Sequence, residues 1–149
     1  MAFSYTYTND RYEILNIMEK SAKSFYNQKV NNPARLIELS EKFYNHGIFI
    51  KVCENKNVVG FAAFYCNNSK SGIAFLSMII VNSGYQKRGI GKNLLNMVLL
   101  KCIECKMNFI ELEVDKSNYE AISFDKKIIF CALRNLVIAI YIYKICFVK

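Results

Sequence analysis

Residues 48–81 constrain the fold more than any other stretch of this chain. The runs IFIKVCE (48–54), VVGFAAFYC (58–66) and IAFLSMIIV (73–81) are rich in β-branched and aromatic side chains, with polar turns at 55–57 and 67–72 between them. Three such runs in succession imply an antiparallel meander. A short apolar start (3–7) precedes them, and Asp10 followed by Glu13 has the pattern of a capping box. Ile14, Leu15, Met18, Ala22 and Phe25 then recur at helical spacing. Asn32 ahead of Pro33 marks a second helix start, with Leu36, Ile37, Phe43 and Tyr44 on one face and Gly47 ending the run. Beyond the meander, 84–91 breaks the β pattern, and Leu94, Leu95, Val98, Cys102 and Cys105 mark the apolar face of a third helix. FIELEV (109–114) reads as a strand, 115–117 as a loop, 118–127 as a short helix, and the runs either side of Arg134-Asn135 as a terminal β-hairpin. The order is β-α-α-β-β-β-α-β-α-β-β, that of an α/β domain.

A chain of 149 residues holds one domain, and no repeat or Ser/Gly-rich linker divides it, so 1–149 is read as a single unit. With 53% hydrophobic and 14% aromatic residues it is too rich in buryable surface to be disordered. The N-terminus lacks a signal-peptide pattern, and the uncharged stretch 136–143 is bounded by Arg134, Asn135 and Lys144, well short of the ~20 residues a bilayer span needs. The expectation is a soluble cytoplasmic protein with no membrane partner, whose basic, apolar C-terminal strand a homodimer partner could cover. Reduced cysteines follow from that setting: Cys53, Cys66, Cys131 and Cys146 sit in apolar stretches, where a thiol acts as a small hydrophobe. Cys102-x-x-Cys105 lacks a second such pair, and His46 is the only histidine, so these thiols read as helix packing and no metal site is expected. His46 itself, next to Gly47, suits the negative end of a helix dipole. The formal charge of +8 fits an anionic ligand, although 16 of the 20 basic residues are Lys in an Asn- and Ile-rich chain and no nucleic-acid-binding motif accompanies them. No nucleic-acid partner is expected.

Chemistry concentrates where the 73–81 run ends and the third helix begins. Gly89 and Gly91 remove side chains where backbone would approach an anion, the helix's first N–H groups lack internal partners, and Lys87, Arg88 and Lys92 add positive charge. The loop matches neither common nucleotide motif: no G-x-x-x-x-G-K-[ST] occurs, and a GxGxxG begun at Gly89 would need glycine where Leu94 stands.

Gln86-Lys87-Arg88-Gly89-Ile90-Gly91 resembles the Gln/Arg-x-x-Gly-x-Gly/Ala signature of the GNAT superfamily of N-acetyltransferases, and the element order is similar to that fold over nearly the whole chain. LEVDKSNYEAISF looks like the family's later block, with Asn118 and Ala121 in place. The resemblance implies a GNAT-type α/β domain, with a mixed, mostly antiparallel central sheet flanked by helices, and an acetyl-CoA-dependent enzyme. In it the amides of Gln86, Lys87, Arg88, Gly89, Ile90, Gly91 and Lys92 hold the pyrophosphate, backbone at Ile79, Ile80 and Val81 pairs with the pantetheine arm, and Asn118 touches the cofactor further along.

Such a site must place an amine near a thioester carbonyl, remove its proton and stabilise charge on the carbonyl oxygen. By resemblance the N–H of Ile79 or Ile80 polarises the carbonyl; Glu111 and Glu113, on one face of FIELEV, are the candidate bases. Where the family has a Tyr that protonates the departing thiolate, this chain has Asp125, and Ile129 stands where the family has Gly. Tyr119 or water is left as the proton donor. A small-molecule amine or amino sugar is the expected acceptor, favoured over a protein N-terminus or lysine because no further recognition domain is seen. A catalytically impaired CoA-binding module is the competing reading, raised by Asp125 and Ile129.

Overall fold

The computed structural model describes residues 2–25, 28–115 and 141–148. Its elements run β1 (Phe3–Thr8), α1 (Arg11–Ser21), α2 (Pro33–His46), β2 (Ile48–Glu54), β3 (Asn57–Tyr65), β4 (Ile73–Val81), α3 (Ile90–Glu104), β5 (Phe109–Asp115) and β6 (Tyr141–Val148), with short 3₁₀ turns at Ala22–Ser24 and Gln28–Val30 between α1 and α2. The six described strands form one sheet in sequence order. β1 to β4 pair antiparallel, while β4–β5 and β5–β6 are parallel. The mixed sheet and the meander are as the sequence suggests. The expected helix at 118–127 and the first strand of the terminal hairpin lie outside the described residues.

Two hydrophobic layers cover the sheet. Ile50, Val52, Ala62, Phe64, Leu76, Ile110 and Leu112 pack with α3 through Leu94, Leu95, Val98 and Cys102. Phe49, Phe61 and Ala63 face the other way and pack with α1 and α2 through Ile14, Ile17, Met18, Leu36 and Phe43. Phe49 stacks on Phe61 with ring centroids 4.9 Å apart, and Phe25 meets Phe61 edge-on at 6.4 Å. Among the described residues no helix is long and apolar enough to cross a membrane.

Helix ends show where local signals hold and where tertiary contacts take over. Asp10 caps α1, its Oδ1 accepting from the Tyr12 and Glu13 N–H groups, both at 2.9 Å. The return half of the box is absent: the Asp10 N–H donates to Thr8 Oγ1 at 3.3 Å, and Glu13 instead accepts from Thr8 Oγ1 at 2.6 Å and from Lys51 on β2. A cation reached through the fold outcompetes a backbone N–H. Asn32 Oδ1 accepts from the Arg35 N–H at 2.9 Å, with Pro33 opening α2. One expectation for α2 is corrected. Ile37 is 50% exposed, and Leu39 and Ser40 are buried beside Leu36 and Phe43 instead. Gly47 ends α2 as expected; its backbone is extended, and a Cβ there would sit 3.1 Å from Phe43 backbone and 3.2 Å from the Phe64 carbonyl, so close packing of α2 on β3 is what it serves.

Two stability predictions follow from these ends. Asp10→Ala should cost about 1 kcal/mol in urea unfolding, the usual loss for an N-cap. Hydrogen bonds from Lys51 and then Thr8 hold the Glu13 carboxyl below its ordinary value of 4.5. A carboxylate whose value is lowered on folding stabilises above its unfolded value and loses that contribution as pH falls through the folded one. Glu13→Gln should therefore be destabilised at pH 7, with the gap to wild type closing as pH drops below about 4.5. A gap that stays constant down to acid-unfolding conditions would contradict this.

Among the described residues, Cys66, Cys102 and Cys105 pack together in the core cluster. Cys102 is fully buried, its Sγ 3.5 Å from that of Cys66, and Cys105 packs against the same cluster from the helix C-cap. Hydrogen bonding with Cys102 and burial push the Cys66 thiol up, and burial does the same to Cys105. Neither is poised as a thiolate.

Candidate active site

β4 is the strand on which the site is built. Its register with β3 runs Ala63↔Met78 and then Phe64↔Leu76, so Ser77 is an extra residue, a β-bulge. The bulge resets the alternation: Leu76 and Ile79 pack on the α3 side of the sheet, Met78 and Ile80 on the other. It also bends the strand, and parallel pairing with β5 covers only Ile73–Leu76 against Phe109–Leu112. Past that point β4 stays with β3 as far as Gly60↔Val81, while β5 stays with β6 as far as Asp115↔Val148. The sheet splits, and one edge of β4 is left open.

Which peptide groups line that edge follows from the ladder. The Asn82 N–H donates to the Val59 carbonyl at 2.8 Å, which makes 82 and 59 a hydrogen-bonded pair. Alternation along the antiparallel register then gives Ile80–Phe61 and Met78–Ala63 the other bonded pairs. Ile79 and Val81 turn their N–H and C=O toward the open edge. The Val81 carbonyl is met there by the Gln86 side-chain amide at 3.2 Å, while Ile80 is committed to β3. Of the two residues proposed from sequence to polarise a carbonyl, only Ile79 presents its N–H.

The loop that follows is shaped by backbone. Tyr85 N–H donates to Asn82 O at 3.0 Å, Asn82 Nδ2 donates to Val58 O at 3.3 Å, and Ser24 Oγ, from the far side of the chain, accepts from the Ser83 N–H at 3.2 Å. Gly84, Lys87 and Gly89 all have positive φ, at +92°, +63° and +80°. Gly89 is the N-cap of α3 without a side-chain cap, and a Cβ added to it would meet nothing within 4 Å. The first internal bond of α3 is Asn93 N–H to Gly89 O at 3.1 Å, so the amides before Asn93 point out of the helix start. Gln86, Lys87, Arg88, Gly89 and Lys92 are exposed, with the Arg88 guanidinium 5.3 Å over the Tyr85 ring. Ile90 has its side chain in the core and offers only its N–H, beside that of half-buried Gly91.

An open strand edge running into a glycine-shaped helix N-terminus is a cradle for an extended ligand with an anionic end. The sequence profile of the acetyltransferase (GNAT) family matches residues 12–128. The chain belongs to the GNAT acetyltransferase family. No curated protein matches the sequence significantly. Among solved structures it is similar to an aminoglycoside N-acetyltransferase in complex with CoA, at 14% identity and TM-score 0.70, covering 85% of this chain and 86% of that one. A GNAT-family acetyltransferase from Staphylococcus aureus Mu50 aligns at 22% identity and TM-score 0.68, covering 85% and 81%. An aminoglycoside acetyltransferase from an uncultured soil metagenome, in complex with sisomicin, aligns at 17% identity and TM-score 0.69, covering 85% and 86%.

In this GNAT domain the residues proposed from the motif lie together: Ile79, Ile80 and Val81 lead directly into the loop 86–92. Glu111 is in register with Phe75, inside the paired part of β4–β5; Glu113 is the first residue of that face beyond the last pair, Leu76↔Leu112. Because Ile110 and Leu112 are buried on the α3 side, Glu111 between them belongs to the α1/α2 face. Asn118, Tyr119, Asp125 and Ile129 lie outside the described residues. Motif reading missed the bulge at Ser77 and the anchors Asn82 and Ser24. A bulge leaves no composition signal in IAFLSMIIV, and Ser24 is 59 residues from its partner.

Proposed function

We propose that this GNAT domain transfers the acetyl group of acetyl-CoA to a primary amine. The observation that carries the reading is the open edge of β4, where the register with β3 turns the Ile79 and Val81 N–H groups toward the split and the α3 N-terminus lies at its end. The residues fit the cofactor: an exposed edge for an amide-bearing arm, outward amides from Gly89 to Lys92, and no side chain at Gly89 to obstruct a phosphate. When bound, acetyl-CoA supplies an acyl group activated as a thioester. Ile79 N–H then serves as a fixed donor where carbonyl oxygen gains charge, and it needs no reorganisation because β3 holds the strand rigid. An alkylamine with a pKa near that of Lys, about 10.4, is mostly protonated at pH 7, so a base must take its proton. Glu111, in register between Phe75 and Lys144, and Glu113, beyond the last β4–β5 pair, are the β5 candidates for this base. Protonation of the leaving sulfur is assigned to water or Tyr119, since Asp125 replaces the family's Tyr.

Calorimetric titration of acetyl-CoA, with thiol release followed over a panel of amines, tests the reading. Micromolar binding with thiol release is expected. Binding without release on any amine would favour a CoA-binding module, and no binding by folded protein would remove both.

A further inference from the structure

β1 is the end strand of the described sheet, with β2 on one side and no described neighbour on the other. The ladder that opens β4 also settles which groups β1 turns outward. Phe61 is bonded to Ile80, so Gly60 and Ala62 turn to β2 and pair with Val52 and Ile50; Phe49 and Lys51 then turn to β1 and pair with Thr8 and Thr6. Phe3, Tyr5 and Tyr7 are left with N–H and C=O directed at the outer edge. Their side chains share the α3 face: Phe3 and Tyr5 pack on that layer, Asn93 Nδ2 donates to the Tyr5 hydroxyl at 3.1 Å, and Lys101 Nζ stands 5.4 Å from the centre of the Tyr7 ring. Ser4, Thr6 and Thr8 take the α1 face, where the Thr8 hydroxyl donates to Glu13.

Edges that stay single are commonly guarded by a charge, a proline or a bulge. FSYTYT has none of these: it is uncharged, lacks proline and keeps an unbroken register with β2. Tyr7 is 50% exposed on it. The charges that flank this edge are matched within the chain, Lys101 with Glu104 on the α3 side and Lys51 with Glu13 on the α1 side, while Asp10 caps α1. In a chain of formal charge +8, two copies can therefore share this edge without like charges meeting across it. The strand is also its own complement. A twofold axis normal to the sheet through Tyr5 sets Tyr5 against its own equivalent and Phe3 against the second copy's Tyr7, so every outward-facing residue meets another. Each such pair exchanges two N–H···O bonds, the Phe3–Tyr7 pairs cover the exposed ring, and Ser4–Thr6 pairs lie on the opposite face. A shift of two residues either way breaks the symmetry of that match and loses a pair. We propose that the protein forms a homodimer through β1, antiparallel about Tyr5, joining two sheets into one.

Sedimentation velocity on the full chain from about 5 to about 500 µM tests it, a range set by the weak association expected of a small interface. The mass should rise from 17.3 kDa toward twice that value. Ser4 and Thr6 are exposed and directly opposed across the axis, so charges placed on them read the register. Ser4→Lys/Thr6→Lys and Ser4→Glu/Thr6→Glu should each raise the dimer Kd about tenfold or more, and an equimolar mixture of the two should restore association. Ser4→Lys/Thr6→Glu places opposite charges across the axis and should stay within about threefold of wild type. Circular-dichroism melting shows that each variant is folded. Amide exchange of the wild type needs no variant: it should slow at Tyr5 and Tyr7 as concentration rises and stay constant at Thr6 and Thr8, whose N–H groups are spent on β2. A monomer throughout the range overturns the proposal. So does a dimer that the like-charge variants leave intact, or one that Ser4→Lys/Thr6→Glu dissociates as readily as they do.

Discussion

Ile79→Pro is expected to lower kcat by about 10²–10³-fold, the usual loss for one oxyanion donor, while leaving the protein folded. Proline deletes one N–H, and at 79 that N–H faces the open edge and takes no part in the β3–β4 ladder. Ile80→Pro is the matched control. It removes the donor paired with Phe61 inside the sheet, so it should lower Tm substantially more than Ile79→Pro does. Thiol-release kinetics with circular-dichroism melting distinguishes them. If Ile79→Pro keeps kcat within threefold, Ile79 is not the donor.

Gly89→Glu should weaken acetyl-CoA binding by more than 100-fold. Two effects act together: a non-glycine residue at φ +80° is strained by about 1–2 kcal/mol, and a carboxylate at the α3 N-terminus competes for the amides that would hold a phosphate. The space around Gly89 is open, so overpacking contributes nothing. Gly89→Ala carries the strain without the charge and should lose far less. Gly84→Glu is a second control, since Gly84 also has positive φ, +92°, and open space but lies five residues before the helix cap. Calorimetry on the three variants reads the outcome, and equal affinity loss in Gly84→Glu and Gly89→Glu would show that general loop charge, and not the helix N-terminus, decides binding.

The open edge of β4 explains why both predictions are large. A strand that keeps β3 on one side and lacks β5 on the other offers a ligand a rigid backbone, already ordered, with donors set at fixed spacing. The cost of ordering those groups is met by the core beneath, where Phe49, Phe61, Phe64 and Ile110 are fully buried. The bulge at Ser77 does two things at once: it returns Met78 and Ile80 to the α1/α2 layer, and it turns the strand away from β5.

Local chemistry in the sequence specified much of this. Apolar runs rich in β-branched and aromatic residues marked β2 and β4, and their ends fall where Glu54 and Val81 are followed by polar turn residues. Asp10 and Asn32 capped the helices expected of them, since an N-cap needs only residues two or three positions ahead. Gly89 stands at the α3 N-cap between strand and helix, as its place in the sequence suggested, because few residues other than glycine accept its φ of +80°. Tertiary structure decided the rest. Glu13 left its capping role for Lys51, which only the fold brings near, and Ile37 lost its place in the core to Leu39 because the approach of α1 set which face of α2 is covered. The choice of Ile79 over Ile80 as open-edge donor also came from three dimensions. Neighbouring residues on a strand look alike in sequence, and only the register against β3 determines which of them spends its N–H in the sheet and which has one left for a ligand.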